Sequence, residues 1–177
     1  MRLKNPGRPY MYDDEIQIID GLLAVQRPTK ILEWGSGEST LHFSKTLQDL
    51  GVLVEAWDSI EHEPTWHAEM IRRAGRPNFV NYYLVNHAGI HPPTSKHRDH
   101  CWQDYVEFPV TLDRQYNFIL IDGRGRRRCL LQAIHLAAPN CMVVLHDAER
   151  EYYHDGFHVY SNGKMLSSRI WLAQVTA

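Results

Sequence analysis

Five short polar groups in this sequence each follow an apolar run directly, and their residue types suit ligand binding and proton transfer. They are Glu33-Trp34-Gly35, Glu61-His62, Asn86, Asp122-Gly123 and His146-Asp147. An ionised carboxylate accepts hydrogen bonds and protons, and a histidine side chain changes charge near neutral pH. If the apolar runs are parallel strands, their carboxyl ends meet at one edge of a sheet, where α/β proteins bind ligands. We therefore expect the five groups to line one rim.

The stretch from Lys30 to Leu41, KILEWGSGESTL, contains an apolar run followed by a turn with Gly35 and Gly37. Glycines allow the backbone to approach a ligand closely, and the N–H groups and dipole at a helix N-terminus favour a polar or anionic ligand. The pattern predicts a strand, a tight loop and a helix that hold a nucleotide-type ligand. A glycine pair alone is equally typical of a structural strand-to-helix turn.

The periodicity of apolar residues predicts an α/β, three-layer fold with a mostly parallel sheet. Helices are expected from Asp13 to Pro28, Ser39 to Leu50, Pro64 to Ile71, Arg124 to Ala138 and Glu149 to His154. Strands are expected from Lys30 to Trp34, Val52 to Ile60, Phe79 to Val85, Tyr116 to Ile121 and Cys141 to Leu145. Tyr105 to Leu112 suits a short strand or an extended segment. A C-terminal antiparallel hairpin is expected from strands Phe157 to Ser161 and Ser168 to Val175, joined by Asn162-Gly163-Lys164.

Length and composition limit the possible functions. The chain of 177 residues suits one domain, residues 1–177, with an extended arm over residues 1–12. A formal net charge of −2 gives no overall attraction to nucleic acid or an anionic membrane. Three cysteines without a CxxC pair argue against a disulfide framework. Because no run approaches the roughly 18 apolar residues of a membrane span, and no signal peptide is visible, we expect a soluble, cytoplasmic protein with no membrane partner.

These motifs resemble those of the class I S-adenosylmethionine (SAM) dependent methyltransferases over nearly the whole chain. The first motif of that family, acidic-x-Gly-x-Gly, matches Glu33, Gly35 and Gly37, and Ser39-Thr40 follow as in the GxGxST variant of small-molecule methyltransferases. The resemblance implies a Rossmann-like sheet, a terminal hairpin and SAM as the cofactor. It implies that the glycines, with Ser36 between them, flank the methionine part of SAM. Glu33 then organises the loop or holds the ammonium group through water.

The second motif of the family is an acidic residue that ends strand two and binds both ribose hydroxyls. Glu61 matches this position best, and Asp58 is the alternative. A carboxylate suits the role because it accepts two strong, charge-assisted hydrogen bonds. The resemblance places His62 against the adenine edge, with Asn86 or His87 also near the adenine.

The segment IDGRGRRRC is similar to the IDG segment of small-molecule methyltransferases, and more narrowly to a group that contains DGR. It implies that Asp122 binds the SAM amino group, acts as a general base or joins a metal site. Metal-dependent O-methyltransferases carry an Asp-Asn pair after strand five, where this chain has His146-Asp147-Ala148. A metal site formed by Asp122 and Asp147 remains an alternative, but the missing Asp-Asn pair argues against metal dependence.

His146 and Asp147 are the other candidates for proton transfer. A histidine can remove the proton of a hydroxyl as its oxygen is methylated, and a carboxylate can orient the imidazole. We expect His146, then Asp122, as the base. Adjacent strand residues point to opposite faces, so His146 and Asp147 are not expected to form a direct dyad. A hydrogen-bonded histidine with a structural role is the alternative.

The densest charge cluster in the chain is the set Arg124, Arg126, Arg127 and Arg128. Cations at a helix N-terminus oppose the helix dipole, and such conflicts concentrate at functional sites. Arg124 is the first candidate for a carboxylate, phosphate or sulfate on the substrate. Arg150 and Tyr153 are expected to wall the acceptor pocket. The alternative is a solvated helix face with arginines paired to acidic residues.

Residues 86–102 lack periodicity, so they predict a long loop. Its side chains His87, His91, His97, His100 and Cys101 fit no compact zinc spacing, and a mobile lid is the better interpretation.

The sequence therefore favours a SAM-dependent methyltransferase that acts on a small-molecule acceptor. O-methylation is favoured, because the Pro-Pro motif of one N-methylating type is absent after strand four. A non-methylating enzyme of the same fold and a SAM-binding accessory protein are the alternatives. A nucleic-acid modifier rests only on the arginines, and a homodimer that closes the site stays open.

Overall fold

A single seven-stranded sheet organises the computed structural model, which describes residues 7–73, 78–85 and 102–176. The strands are Lys30–Trp34 (β1), Ala56–Glu61 (β2), Val80–Leu84 (β3), Tyr116–Ile121 (β4), Ala137–His146 (β5), Lys164–Met165 (β6) and Ile170–Gln174 (β7). Their order is β3-β2-β1-β4-β5-β7-β6. Strands β1 to β5 are parallel, and β7 runs antiparallel to both β5 and β6. The predicted fold class is confirmed.

Helices cover both faces of the sheet and complete the three layers. The α-helices are Asp13–Gln26 (α1), Glu38–Asp49 (α2), Pro64–Arg73 (α3), Gln103–Glu107 (α4) and Arg126–Leu136 (α5). Two 3-10 helices span Phe108–Leu112 and Glu151–Val159. Apolar residues of α1 and α2 form one core layer with the sheet, and those of α4, α5 and the second 3-10 helix form the other.

The alternation of side chains along β1 determines which core layer each side chain enters. Ile31 joins the layer of α1 and α2, whereas Leu32 and Trp34 join the layer of α5. Because side chains of a strand point to opposite faces in turn, Glu33 enters the layer that contains α2. A carboxyl group is thereby buried directly beneath the N-terminus of that helix.

Two predicted strands are wrong in extent or type. Strand β2 starts at Ala56 rather than Val52, because β1 begins at Lys30 and Ala56 is the first residue opposite it. Leu53 in the preceding turn is 88% exposed. Residues 105–112 form α4 and a 3-10 helix instead of a strand, with the adjacent Tyr105 and Val106 both buried. Adjacent buried residues suit a short helix and break the alternation of a half-buried strand.

The predicted hairpin exists, but its first strand and its turn lie later in the chain. Residues 157–159 belong to a 3-10 helix, where Phe157 stacks on Trp171 with ring centroids 4.6 Å apart. Strand β6 is Lys164–Met165, and residues 166–169 join it to β7. Aromatic residues favour strands in general, and packing against Trp171 overrides that preference here.

The order of strands reverses between β1 and β4, which are direct neighbours. In open α/β sheets this reversal creates a crevice beyond the carboxyl ends of the strands. Gly35, Glu61, Asp122 and His146 all lie at those ends. Asn86 and the predicted lid histidines lie outside the described residues. No helix in the described part of the chain has the length and apolarity needed to cross a membrane.

Candidate functional site

The turns after β1 and β4 meet at the crevice through two glycines. Gly35 has a φ of 104°, in the region that favours glycine, and a Cβ on it would lie 2.6 Å from the Gly123 Cα. A Cβ on Gly123 would lie 2.1 Å from the Tyr105 hydroxyl oxygen. The Gly35 N–H donates to the Ile60 carbonyl at 2.9 Å. Both turns therefore require residues without side chains at their point of contact.

Glu33 lies below the glycine turn, fully buried, and joins it to β2. Its carboxylate accepts hydrogen bonds from Ser39 and Thr40 at 2.6 Å each and from Ser59 at 2.9 Å. The Trp57 indole N–H donates to it at 3.1 Å. Burial raises the pKa of Glu33 to about 7, against the opposing effect of these hydrogen bonds. Glu33 thus organises the loop from inside the core.

The hydroxyl groups of the turn point towards protein partners. Ser39 and Thr40 donate to Glu33, and the Thr40 oxygen also accepts the Gly37 N–H at 3.0 Å. The Ser36 hydroxyl lies 2.7 Å from the Ser59 hydroxyl. Three side chains predicted to bind a cofactor therefore shape the turn, and the surface they leave for a ligand is backbone.

Glu61 ends β2 with one oxygen bonded and the other without a partner among the described residues. Its Oε1 accepts the backbone N–H groups of His62 and Glu63 at 2.7 and 2.8 Å. Asp58, the alternative ribose ligand, is fully buried and binds Asn81, Arg114 and Tyr116. The interactions of Asp58 are thus internal, whereas Glu61, with a side chain that is 4% exposed, lies at the end of its strand.

Aromatic side chains lie beside Glu61. The His62 ring packs edge-on against Trp102 at 5.2 Å and against Tyr105 at 6.0 Å between ring centroids. Tyr105 is buried, and it donates to the Ile60 carbonyl at 3.3 Å. Desolvation by this burial raises the pKa of Tyr105, so its hydroxyl stays protonated at neutral pH. The surroundings of Glu61 suit a flat, apolar ring with a polar edge.

A cavity of about 510 Å³ opens next to the carboxyl ends of β4 and β5. Its lining residues are Tyr10, Tyr12, Asp122, Arg126, His146, Asp147, Arg150 and Arg169. The first two precede α1, so the N-terminal segment forms one wall. The lining contains three arginines and two aspartates, and it suits a polar molecule.

His146 is held between two carboxylates. Its Nδ1 lies 2.7 Å from Asp122 Oδ1, and its Nε2 lies 3.2 Å from Glu15 Oε2. The side chains of His146 and Glu15 are 2% and 1% exposed, whereas that of Asp122 is 20% exposed. Of the two bases expected from the sequence, Asp122 is the more accessible.

Arg126 connects the ends of β4 and β5. Its guanidinium donates to the carbonyls of Asp122, Gly123 and His146 at 2.7, 2.9 and 2.6 Å. It also lies 2.9 Å from the Asp122 carboxylate. These bonds explain why an arginine occupies the first position of α5, because its guanidinium donates to carbonyl groups at the ends of the neighbouring strands.

Asp147 follows β5 in the left-handed conformation, with a φ of 56°. Its carboxylate contacts three guanidinium groups, with Arg126 at 3.4 Å, Arg150 at 2.8 Å and Arg169 as the third. Asp147 Oδ1 lies 3.7 Å from His146 Nε2, a distance beyond a direct hydrogen bond. Asp147 therefore orders arginines at the cavity.

The two residues predicted to wall the acceptor pocket lie at the cavity or next to it. Arg150 is 47% exposed and donates to the Tyr153 hydroxyl at 3.5 Å. Burial raises the pKa of Tyr153 to about 12, so its hydroxyl remains protonated at neutral pH. Arg124 is exposed and does not line the cavity. Arg127 and Arg128 lie 3.6 and 3.7 Å from Asp155 and Glu107.

Sequence reasoning missed Glu15 and Arg169. Glu15 lies in the acidic first turn of α1, and nothing in its surroundings in sequence links it to His146, 131 residues away. Arg169 lies in the turn before β7, 3.1 Å from Glu149 and 3.5 Å from Glu15. Within the ranges that the structure describes, no group of three or more acidic, histidine or cysteine side chains has an arrangement that holds a metal ion.

Comparison with known proteins gives structural likenesses only. No protein-family model matches the sequence, and neither does any curated protein. A methyltransferase-like protein from Silicibacter pomeroyi superimposes with a TM-score of 0.67 at 21% identity, over 96% of this chain and 90% of that one. TomG, an O-methyltransferase from Streptomyces achromogenes solved with SAM, superimposes with a TM-score of 0.64 at 16% identity, over 94% of this chain and 82% of that one. An O-methyltransferase from Bacillus cereus solved with S-adenosylhomocysteine superimposes with a TM-score of 0.63 at 13% identity, over 94% of this chain and 82% of that one. The fold is that of these methyltransferases.

Proposed function

We propose that this protein is a SAM-dependent methyltransferase that methylates a hydroxyl group of a small-molecule acceptor. The observation that carries the proposal is the crevice at the strand-order reversal, where the side-chain-free turn of Gly35 and Gly123 lies beside Glu61. The two O-methyltransferases solved with SAM or S-adenosylhomocysteine share this fold, which supports the same ligand class here.

The residues of the crevice fit SAM by their chemistry. Gly35 and Gly37 offer backbone without side chains to the methionine part, over a turn that Glu33 organises from below. Glu61 Oε2 would accept the ribose hydroxyls, and His62 with Trp102 would pack on the adenine. When bound, SAM supplies a methyl group activated by its positive sulfonium sulfur, which keeps the electrons of the broken carbon–sulfur bond. The protein must then align the acceptor and take up a proton.

The cavity beside the crevice is the proposed acceptor site. Asp122 lines it and provides a carboxylate for the proton of a hydroxyl group. Arg150, 47% exposed, has donors beyond those that bind Asp147 and Tyr153, so it suits an anionic group on the acceptor. A hydroxylated compound that carries a carboxylate, phosphate or sulfate matches both features.

Replacing the ribose ligand tests the cofactor assignment. Glu61→Gln keeps an oxygen for the two backbone N–H groups but removes the charge that strengthens bonds to the ribose, so SAM affinity should fall about tenfold or more. Titration calorimetry measures this dissociation constant. Glu63→Gln is the matched control, since Glu63 lies two residues away and its carboxylate accepts the N–H groups of Thr65 and Trp66. Equal affinities of the two variants would contradict the assignment.

Transfer of a labelled methyl group to a panel of acceptors separates this function from its alternatives. We expect labelled product with hydroxylated, anionic compounds. SAM binding without transfer to any acceptor would favour a non-methylating enzyme or an accessory protein, and absence of SAM binding would contradict the methyltransferase and the SAM-binding accessory protein.

A further inference from the structure

We infer that Asp122 takes up the proton of the acceptor hydroxyl, and that His146 and Glu15 are positioning residues that hold Asp122 for this task. The inference rests on the proposed methyltransferase function and assigns roles within its acceptor site. Its basis is the chain of contacts from Asp122 through His146 to Glu15, with distances of 2.7 and 3.2 Å.

The two nitrogens of His146 face carboxylate oxygens on both sides. An ionised carboxylate only accepts hydrogen bonds, so each nitrogen that bonds to one must donate. An imidazole that donates from both nitrogens has no lone pair with which to remove a proton from the acceptor. Its side chain is also only 2% exposed, whereas Asp122 is 20% exposed at the cavity. Asp122 is therefore the group that meets the hydroxyl.

Glu15 fixes the far end of this chain of contacts. Its Oε2 accepts the Tyr12 backbone N–H at 2.6 Å and faces His146 Nε2. Its carboxylate also lies 3.5 Å from Arg169 Nε. Since Glu15 is 1% exposed and belongs to α1, it ties the wall of the cavity to the end of β5. Loss of its charge would loosen His146 and, through it, Asp122.

Other charged groups face the chain from each neighbouring element. Arg126 of α5 lies 2.9 Å from Asp122 Oδ1, and Asp147 lies 3.7 Å from His146 Nε2. The Arg126 guanidinium and the His146 ring together hold one oxygen of Asp122 in place.

The proton balance uses only Asp122. As the acceptor oxygen forms its bond to the methyl carbon and the carbon–sulfur bond breaks with its electron pair left on sulfur, the O–H proton passes to the Asp122 carboxylate. His146 neither gains nor loses a proton in this step. Solvent at the cavity then removes the proton from Asp122 when the product leaves.

Nitrogen NMR of His146 tests the positioning role without any turnover. In the protein without ligand, both ring nitrogens should donate hydrogen bonds, and both N–H signals should be visible and protected from exchange with water. In Glu15→Gln the Nε2–H signal should exchange faster with water, because an amide oxygen is a weaker acceptor than a carboxylate, and Glu149→Gln should match the wild type. Glu149 is the matched control because it also pairs with Arg169 but has no contact with His146. A single protonated nitrogen in the wild type would overturn the positioning role.

Kinetics tests the assignment of the base. Asp122→Asn should lower kcat at least 100-fold, the range expected for loss of a general base, and Glu15→Gln should lower kcat at least tenfold with the KM for SAM unchanged. Glu149→Gln should retain kcat. An Asp122→Asn variant that keeps kcat while the wild type binds SAM would overturn this inference alone, whereas a wild type that binds no SAM would overturn the proposed function.

Discussion

Arg126 donates to three backbone carbonyls from two strand ends and lies beside the Asp122 carboxylate. A guanidinium spans these acceptors because its N–H groups form a rigid, planar fork, which a lysine ammonium cannot reproduce. The residue therefore sets the spacing of β4 and β5 at the cavity. These hydrogen bonds also explain how Arg126 is accommodated at a helix N-terminus, where the helix dipole disfavours a cation.

Arg126→Lys should destabilise the protein by about 2 kcal/mol, because two or more bonds to partly buried carbonyls lose their donor. Urea unfolding measures the difference. Arg127→Lys serves as the control, since the ion pair of Arg127 with Asp155 at 3.6 Å is largely exposed and the change should stay within about 0.5 kcal/mol. Equal stabilities of the two variants would show that the bonds of Arg126 carry no weight.

The raised pKa of Glu33 predicts a specific pH dependence of the free energy of unfolding. Burial raises the pKa of Glu33 to about 7 from the ordinary 4.5, so the folded protein holds a proton that the unfolded chain releases between these values. Stability from this group is present below about pH 4.5 and is lost as the pH rises through about 7. Glu33→Gln removes this loss, which amounts to about 3 kcal/mol over that range. Unfolding free energies at pH 5 and pH 8 give the difference between wild type and variant, and a difference that does not change with pH would refute the prediction.

At the scale of elements, the site depends on the contact between the turns after β1 and β4. Gly35 and Gly123 meet there, and Tyr105 of α4 packs against Gly123. The sequence could predict the glycine turn after β1, because the apolar run, the glycines and the following amphipathic segment are local features. The contribution of α4 was not predictable, since the apolar residues from Val106 to Leu112 alternate in sequence like those of a strand, and only the buried pair Tyr105 and Val106 departs from that pattern.

Gly123→Ala should destabilise the protein by about 1–3 kcal/mol and weaken cofactor binding, because its Cβ would overlap the Tyr105 hydroxyl oxygen at 2.1 Å. Thermal unfolding and calorimetry measure the two effects. Gly21→Ala is the control, as a Cβ on this residue of α1 meets nothing within 4 Å, and it should leave stability equal or higher. A stable Gly123→Ala variant with full affinity would mean that the two turns can separate.

Across the whole molecule, the sequence predicted the sheet well and the acceptor cavity poorly. Apolar periodicity is a local property, and it places Glu61, Asp122 and His146 at one edge once the strands are parallel. The partners of His146 depend on which helix covers that edge, and Glu15 reaches it from 131 residues away. The partners of the clustered arginines likewise depend on tertiary contacts, since Asp155 faces Arg127 and Glu107 faces Arg128.

A crystal structure of the protein with S-adenosylhomocysteine tests the central claim most directly. We expect the ribose hydroxyls within hydrogen-bond distance of Glu61, the amino-acid part against Gly35 and Gly37, and the sulfur directed towards the cavity that Asp122 lines. The ligand bound elsewhere, or crystals that remain without it at millimolar concentrations, would contradict a methyltransferase site at this crevice.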